Sequence, residues 1–226
     1  MKIIVFDLDD TLYGELDYVR SGFQVVAEYL ENKYRIPCDE SFRLMWDSLE
    51  EKGRGSVFND VLIHYNLYSE SAVKRCLSTY RLHMPNISLL PDAVDALQIL
   101  AGHSVYIVTD GNKVVQHNKI LALGLYGRVT KCYITHRYGR HHSKPSPYCF
   151  HQIAKRENVR PQEIVYIGDN PNKDFVGIKP YGYQTVRILR GAFKDVRMSE
   201  AYNAEFEINT LNELLPLIAR STEAEG

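Results

Sequence analysis

The chain has 226 residues, 45% of them hydrophobic and 24% charged, enough to bury the core of one large domain or two smaller ones. Lys and Arg total 27 against 28 for Asp and Glu, a net charge of −1 that leaves no electrostatic footprint for nucleic acid. Apolar runs are too short to span a bilayer, and Cys38, Cys76, Cys132 and Cys149 form no Cys-x-x-Cys pair for zinc. Free thiols, and a first strand where a signal peptide would stand, predict a cytoplasmic protein.

Met1 to Phe6 is an apolar, β-branched run of strand length, and it leads directly into Asp7-Leu8-Asp9-Asp10. Acids at the carboxyl end of a strand occupy the position where open α/β sheets keep their ligands. Alternation puts Asp7 and Asp9 on one side only if the chain stays extended, so spacing leaves their geometry open. Tyr13 and Gly14 follow as a turn near the motif. Asp17 is a candidate N-cap for a helix to Tyr34 carrying Val25, Val26, Tyr29 and Leu30 at helical spacing. Pro37 breaks it, Asp39 or Ser41 caps a second helix through Trp46 and Leu49, and Gly53-Arg54-Gly55-Ser56 is a loop. Ser56 starts a third helix and Ser69 a fourth, which runs to His83. No strand is predicted between Leu12 and Pro85.

From Pro91 the pattern alternates. A helix with Pro91 at its first position precedes a strand from Ser104 to Thr109. Asp110-Gly111-Asn112 and a helix to Gly124 follow, then a strand from Lys131 to Thr135. A polar loop from His136 to Ser143 precedes Lys144-Pro145 and a helix to Asn158. Glu163 to Gly168 is a fourth strand, followed by Asp169, Asp174 and a short helix. A fifth strand spans Thr185 to Leu189, with Arg187 and Arg190 expected at the surface. Asn209 to Arg220 forms a closing helix, and Ser221 to Gly226 frays. Strands alternating with helices predict a mainly parallel α/β sheet with a helical insertion.

Each relevant strand thus ends in chemistry. Asp7 and Asp9 end the first, Thr109 the second, and Asp169 the fourth, with Asp174 five residues on. Backbone amides of Asp110 and Gly111, at a helix N-terminus, suit an anion. If these ends meet at one sheet edge, four carboxylates require a hard cation such as Mg²⁺, and Lys144, Thr109 and the amides require an anion beside it. A phosphoryl group satisfies both.

In order and position, Asp7-Leu-Asp9-Asp-Thr11-Leu12, Val108-Thr109-Asp110-Gly111-Asn112, Lys144-Pro145 and Gly168-Asp169 with Asp174 resemble the four motifs of the haloacid dehalogenase (HAD) superfamily. The insertion resembles a C1-type α-helical cap. The resemblance implies a Rossmann-like core over residues 1–14 and 86–226 and a cap over 15–85. It implies Asp7 as the nucleophile that becomes an aspartyl-phosphate, and Asp9 as the acid/base with its backbone carbonyl on Mg²⁺. Thr109 and Lys144 would hold phosphoryl oxygens, Lys144 also restraining Asp7. The metal set would be Asp7, Asp9, Asp169 and Asp174, and Asp10 is left a bystander. Asp9 is expected to have a raised pKa from its proximity to Asp7.

An acid at position 9 favours a phosphatase over a dehalogenase, whose chemistry needs no proton for an alkoxide. The expected substrate is a small phosphorylated metabolite, with a sugar phosphate ahead of a nucleotide. A phosphomutase and a non-catalytic protein of this fold are the alternatives. Arg54 is a candidate for a substrate hydroxyl or carboxylate. The stretch from Arg137 to His142, with Arg140 and His141, reads either as an exposed basic loop or as a contact for a second anion. Oligomeric state is not legible in the sequence.

Overall fold

The computed structural model describes residues 3–214 and 216. The chain divides into two compact units, Met1–Glu15 with Ser88–Gly226, and Leu16–Ile87. The first is an α/β unit built on six parallel strands: β1 (Ile3–Phe6), β2 (Val105–Thr109), β3 (Lys131–Ile134), β4 (Ile164–Gly168), β5 (Gln184–Ile188) and β6 (Phe206–Ile208). Their order is β3-β2-β1-β4-β5-β6. From β1 the chain builds outward to β3, then crosses back and builds outward from β4. The switch point therefore lies between β1 and β4, the position at which open α/β sheets bind ligands. Phe6 is level with Ile107 and Ile167, and Asp7 extends the ladder by donating its N–H to Ile167 O at 2.8 Å.

β1, β2 and β4 are buried along their whole length, as strands covered on both faces must be, and this is why they read as continuous apolar runs. Val5, Tyr106, Val108 and Tyr166 share a core with Phe150 and Ile153 of the helix Tyr148–Glu157. Fully burying such a side chain contributes about 1.5–3 kcal/mol, an upper estimate for a compact unfolded chain.

The other unit is helical: α1 (Glu15–Tyr34), α2 (Cys38–Lys52), α3 (Val57–His64) and α4 (Glu70–Leu82). α1 buries Val19, Phe23, Val26, Ala27 and Leu30, a stripe of helical period. The Tyr80 ring lies where a Cβ on Gly22 would project, so only glycine admits that contact. Ser69 caps α4, accepting the Ala72 N–H at 3.1 Å. The α/β unit adds α5 (Pro91–Ile99), α6 (Lys113–Ala122) and α7 (Tyr148–Glu157).

Several expectations need correction. α1 begins at Glu15, not after Asp17, because Asp10 Oδ1 accepts the Glu15 N–H at 2.8 Å. Asp39 and Ser41 lie inside α2, and Pro37 holds the cap position. The helix expected after Asp174 is replaced by turns and a single 3₁₀ turn, Lys179–Tyr181, between Gly177 and Gly182. β6 is an additional strand whose three residues are too few to show a pattern. Leu211–Glu213 is a 3₁₀ turn capped by Thr210, and the rest of the expected closing helix, with the fraying end, lies largely outside the described residues. Arg187 is not at the surface: it points inward from β5 with 0% exposure. Arg190 is mostly buried in an ion pair with Asp92.

Candidate active site

Strand ends bring together three of the acids singled out above. Asp7 follows β1 and Asp169 follows β4, while Asp174 returns from the turn between them. Carboxylate oxygens of Asp7, Asp169 and Asp174 all lie within 4.8 Å of one another, and all three side chains are buried. The Lys144 ammonium sits among them, donating to Asp7 Oδ1 at 2.7 Å, Asp174 Oδ1 at 2.7 Å and Tyr166 Oη at 2.9 Å. The Tyr166 hydroxyl donates to Asp174 Oδ1 at 3.0 Å, and the Asn170 N–H is bonded to Asp174 Oδ2 at 2.9 Å. Gly168 makes this possible: a Cβ there would stand 2.9 Å from the Asp174 carboxyl carbon.

Three buried carboxylates around one ammonium leave excess negative charge. Burial, with Asp174 and Asp9 against the opposing pull of Lys144 and Lys173, pushes the Asp7 carboxyl up to about 6. Burial, then Asp7 and Asp174, pushes Asp169 up to about 9. Burial favours a neutral Lys144, but Asp174 and Asp7 outweigh it and hold its pKa well above the usual value. Such a cluster calls for a proton or a cation, and hard oxygen donors suit Mg²⁺. The Asp7, Asp169 and Asp174 set therefore fits a divalent ion. The Asp9 carboxylate is not part of it.

Asp9 is turned to a different group of partners. Its Oδ1 accepts Lys119 Nζ–H at 2.7 Å and the Tyr13 hydroxyl, and its Oδ2 accepts Gln116 Nε2–H at 2.8 Å. Burial raises the Asp9 pKa, but the Lys119 charge and the hydrogen bonds of Lys119, Tyr13 and Gln116 outweigh it and leave it below the usual carboxylate value. This reverses the raised pKa expected from Asp7. Gln116 Nε2 also lies 2.6 Å from Thr109 Oγ1 and 3.1 Å from Asp110 O. Because Thr109 Oγ1 accepts that bond, its own proton stays available for another acceptor.

Gln116 and Lys119 were not singled out from sequence. They lie on α6 with Ile120 and, with the C-cap Leu123, form an i, i+3, i+4, i+7 stripe; two long polar residues on a core-facing stripe were the available signal. Asn112 starts that helix, its Oδ1 accepting the N–H groups of Val114 at 2.9 Å and Val115 at 3.4 Å. Tyr166 was missed because a tyrosine within an apolar strand reads as core.

Asp110 uses its side chain to tie the site together. Oδ1 accepts the Thr135 hydroxyl and the Lys144 N–H at 3.1 Å, linking the ends of β2 and β3 to the lysine. Gly111 follows with φ +138°, a conformation that favours glycine. Asp10 has a structural part. It accepts the Glu15 and Ala192 N–H groups and packs where a Cβ on Gly191 would project. Arg187 holds the same segment, donating to the carbonyls of Phe193, Lys194 and Val196. Tyr13 is fully buried.

Asp7, Asp9 and Asp169 line a cavity of about 120 Å³ together with Lys173 and Phe193, whereas Asp174 lies behind it. None of Arg137 to His142 lines it. His142 stacks on Tyr148 instead, ring centres 3.8 Å apart. Arg54 lies in the α2–α3 loop of the helical unit. No described helix is long and apolar enough to cross a membrane.

Residues 1–182 match haloacid dehalogenase-like hydrolases. Four relatives named glyceraldehyde 3-phosphate phosphatase are similar over almost the whole chain. That of Methanocaldococcus jannaschii is 29% identical over 96% of this chain and 97% of its own. The Pyrococcus abyssi protein is 30% identical over 96% and 94%. The crystal structure of a 2-haloacid dehalogenase from Pseudomonas syringae superposes with a TM-score of 0.67 over 97% of this chain and 99% of that one, at 21% identity, a likeness of fold. With the acids at the switch point of a six-stranded parallel sheet and the match spanning most of its length, the chain belongs to the haloacid dehalogenase-like hydrolase family.

Proposed function

We propose that the protein is a cytoplasmic, Mg²⁺-dependent phosphatase of a small phosphorylated metabolite, working through an aspartyl-phosphate on Asp7. The observation that carries this is the buried Asp7–Lys144–Asp174 arrangement, with Asp169 adjacent and a second acid, Asp9, held separately by Lys119, Gln116 and Tyr13. A phosphate needs a nucleophile and an acid/base in different environments, and these two carboxyls differ in that way. The names of the four relatives make glyceraldehyde 3-phosphate the first substrate to try.

Asp7, Asp169 and Asp174 would hold Mg²⁺ with the Asp9 carbonyl, and the ion would neutralise charge on the phosphoryl oxygens. Lys144 fixes the rotamer of Asp7 and offsets its charge. A free oxygen of Asp7 attacks phosphorus, the bond to the leaving alkoxide breaks, and the proton for that alkoxide comes from Asp9. Water then attacks the phosphoaspartate, giving its proton to Asp9 as the phosphorus–Asp7 bond breaks. Asp9 is ionised in the free protein. The negative charge of an arriving phosphate raises its proton affinity, which prepares it to act as the acid. The Thr109 proton and the amides of Asp110 and Gly111 face the phosphoryl oxygens. The helical unit serves as the cap, with Arg54 as a contact for a substrate hydroxyl or carboxylate.

Release of inorganic phosphate from glyceraldehyde 3-phosphate and p-nitrophenyl phosphate, with Mg²⁺ and with EDTA, tests the reading. Turnover should require the metal and vanish in Asp7→Asn. Wild-type turnover by Asp7→Asn would remove Asp7 as the nucleophile.

A further inference from the structure

Two of the lysines that reach these acids are already engaged. An ammonium has three N–H bonds, and Lys144 directs them at Asp7, Asp174 and Tyr166. An arriving phosphoryl group would have to break one of these bonds to receive a proton from it. Lys119 is 3% exposed and paired with Asp9. Lys173 differs from both. It is half-buried and lines the cavity beside Asp7, Asp9 and Asp169. Among the described residues its ammonium has no hydrogen bond or ion pair, the backbone N–H alone being bonded, to Asn170 O at 3.3 Å.

The turn that carries it is braced at both ends. Asn170 Oδ1 accepts the N–H and the side-chain amide of Asn172, each at 3.0 Å, and Asp174 N–H donates to Asn170 O at 3.0 Å. Lys173 is thus anchored at the rim, with a flexible four-carbon stem and a compact charge. The remaining charged residues of the lining are all acidic, including Asp10, Glu15 and Asp110. Among the described residues, Lys173 is the one cationic side chain of that lining that an entering dianionic phosphoryl group meets.

We infer that Lys173 is a substrate-binding residue, its ammonium pairing with the phosphoryl oxygens that Lys144 has no free N–H to serve. This rests on the phosphatase reading of the same cavity and adds the group that recruits the anion.

Inorganic phosphate is the probe, titrated calorimetrically into Mg²⁺-loaded wild type, Lys173→Met and Lys173→Arg. Steady-state kinetics on p-nitrophenyl phosphate and Mg²⁺ titrations are run alongside. Losing a hydrogen bond to a charged partner should weaken phosphate binding about tenfold or more in Lys173→Met. KM should rise by more than kcat falls, Lys173→Arg should recover most of the loss, and Mg²⁺ affinity should hold within about twofold. Phosphate affinity and KM unchanged in Lys173→Met overturn the inference and leave the phosphatase standing. Weakened phosphate binding in a protein that turns over no ester supports Lys173 and removes the phosphatase. A wild type that neither binds phosphate nor turns over esters removes both.

Discussion

Magnesium binding should depend steeply on pH, in a direction set by the buried carboxyls. Asp169 is pushed up to about 9 and Asp7 to about 6, burial being the largest cause for each. A carboxyl whose folded pKa is raised holds its proton more tightly folded than unfolded. In the metal-free protein its contribution to stability is therefore full below about pH 4 and is lost as pH rises through about 9. A divalent ion takes the place of that proton. Across the window from about 6 to about 9, each ion bound should release about one proton, and apparent affinity should rise about tenfold per pH unit, about 1.4 kcal/mol. Below about 6 the second proton, on Asp7, steepens the dependence towards a hundredfold. Calorimetric Mg²⁺ titrations from about pH 6.5 to about 8.5, in buffers of different ionisation enthalpy, count the protons directly. Asp169→Asn should flatten the dependence in that window. Affinity constant across it, with no proton release, would refute the account of a cation replacing the Asp169 proton.

Gly168→Ala should displace Asp174, since the new Cβ would lie 2.5 Å from its Oδ2. The expected cost is about 1–3 kcal/mol in urea unfolding together with lower turnover, and wild-type values in both would show that the strand end yields freely. Lys119→Met should release Asp9 from the charge that depresses its pKa and move the alkaline limb of the kcat/KM profile, where the Asp9 proton is lost, to higher pH. The depressed pKa stabilises the fold above about pH 4, and that stability is lost as pH falls through the folded value. The substitution should therefore cost about 2–3 kcal/mol at neutral pH, the low end for a buried pair because Asp9 is partly exposed. An unmoved alkaline limb would detach Lys119 from the acid/base.

Apolar runs bounded by turns made β1, β2 and β4 legible, since each is buried along its whole length, and β3 and β5 were legible by their length and place in the alternation although Lys131, Gln184 and Arg187 interrupt them. The polar residue that follows each run was legible for the same reason, because a charge directly after a buried strand stands out. Asp7 and Asp169 could be named in this way, Thr109 as the hydroxyl that ends β2, and Lys144 and Asp174 by the spacing of the motifs they resemble. Contacts across the chain could not. Gln116 and Lys119 meet Asp9 across more than a hundred residues, and Arg187 reaches inward to carbonyls of an irregular segment that carries no periodic signal. Even the sign of the Asp9 shift depended on this. Two residues along the chain, Asp7 suggests an acid with a raised pKa, whereas the opposite charge that prevails comes from a helix brought alongside by folding. Local sequence determined which carboxyls stand at the sheet edge, because strand and turn propensities act over a few residues. Which is a nucleophile's neighbour and which is clamped by a lysine was decided by tertiary structure, because electrostatic environment is a property of what is close in space.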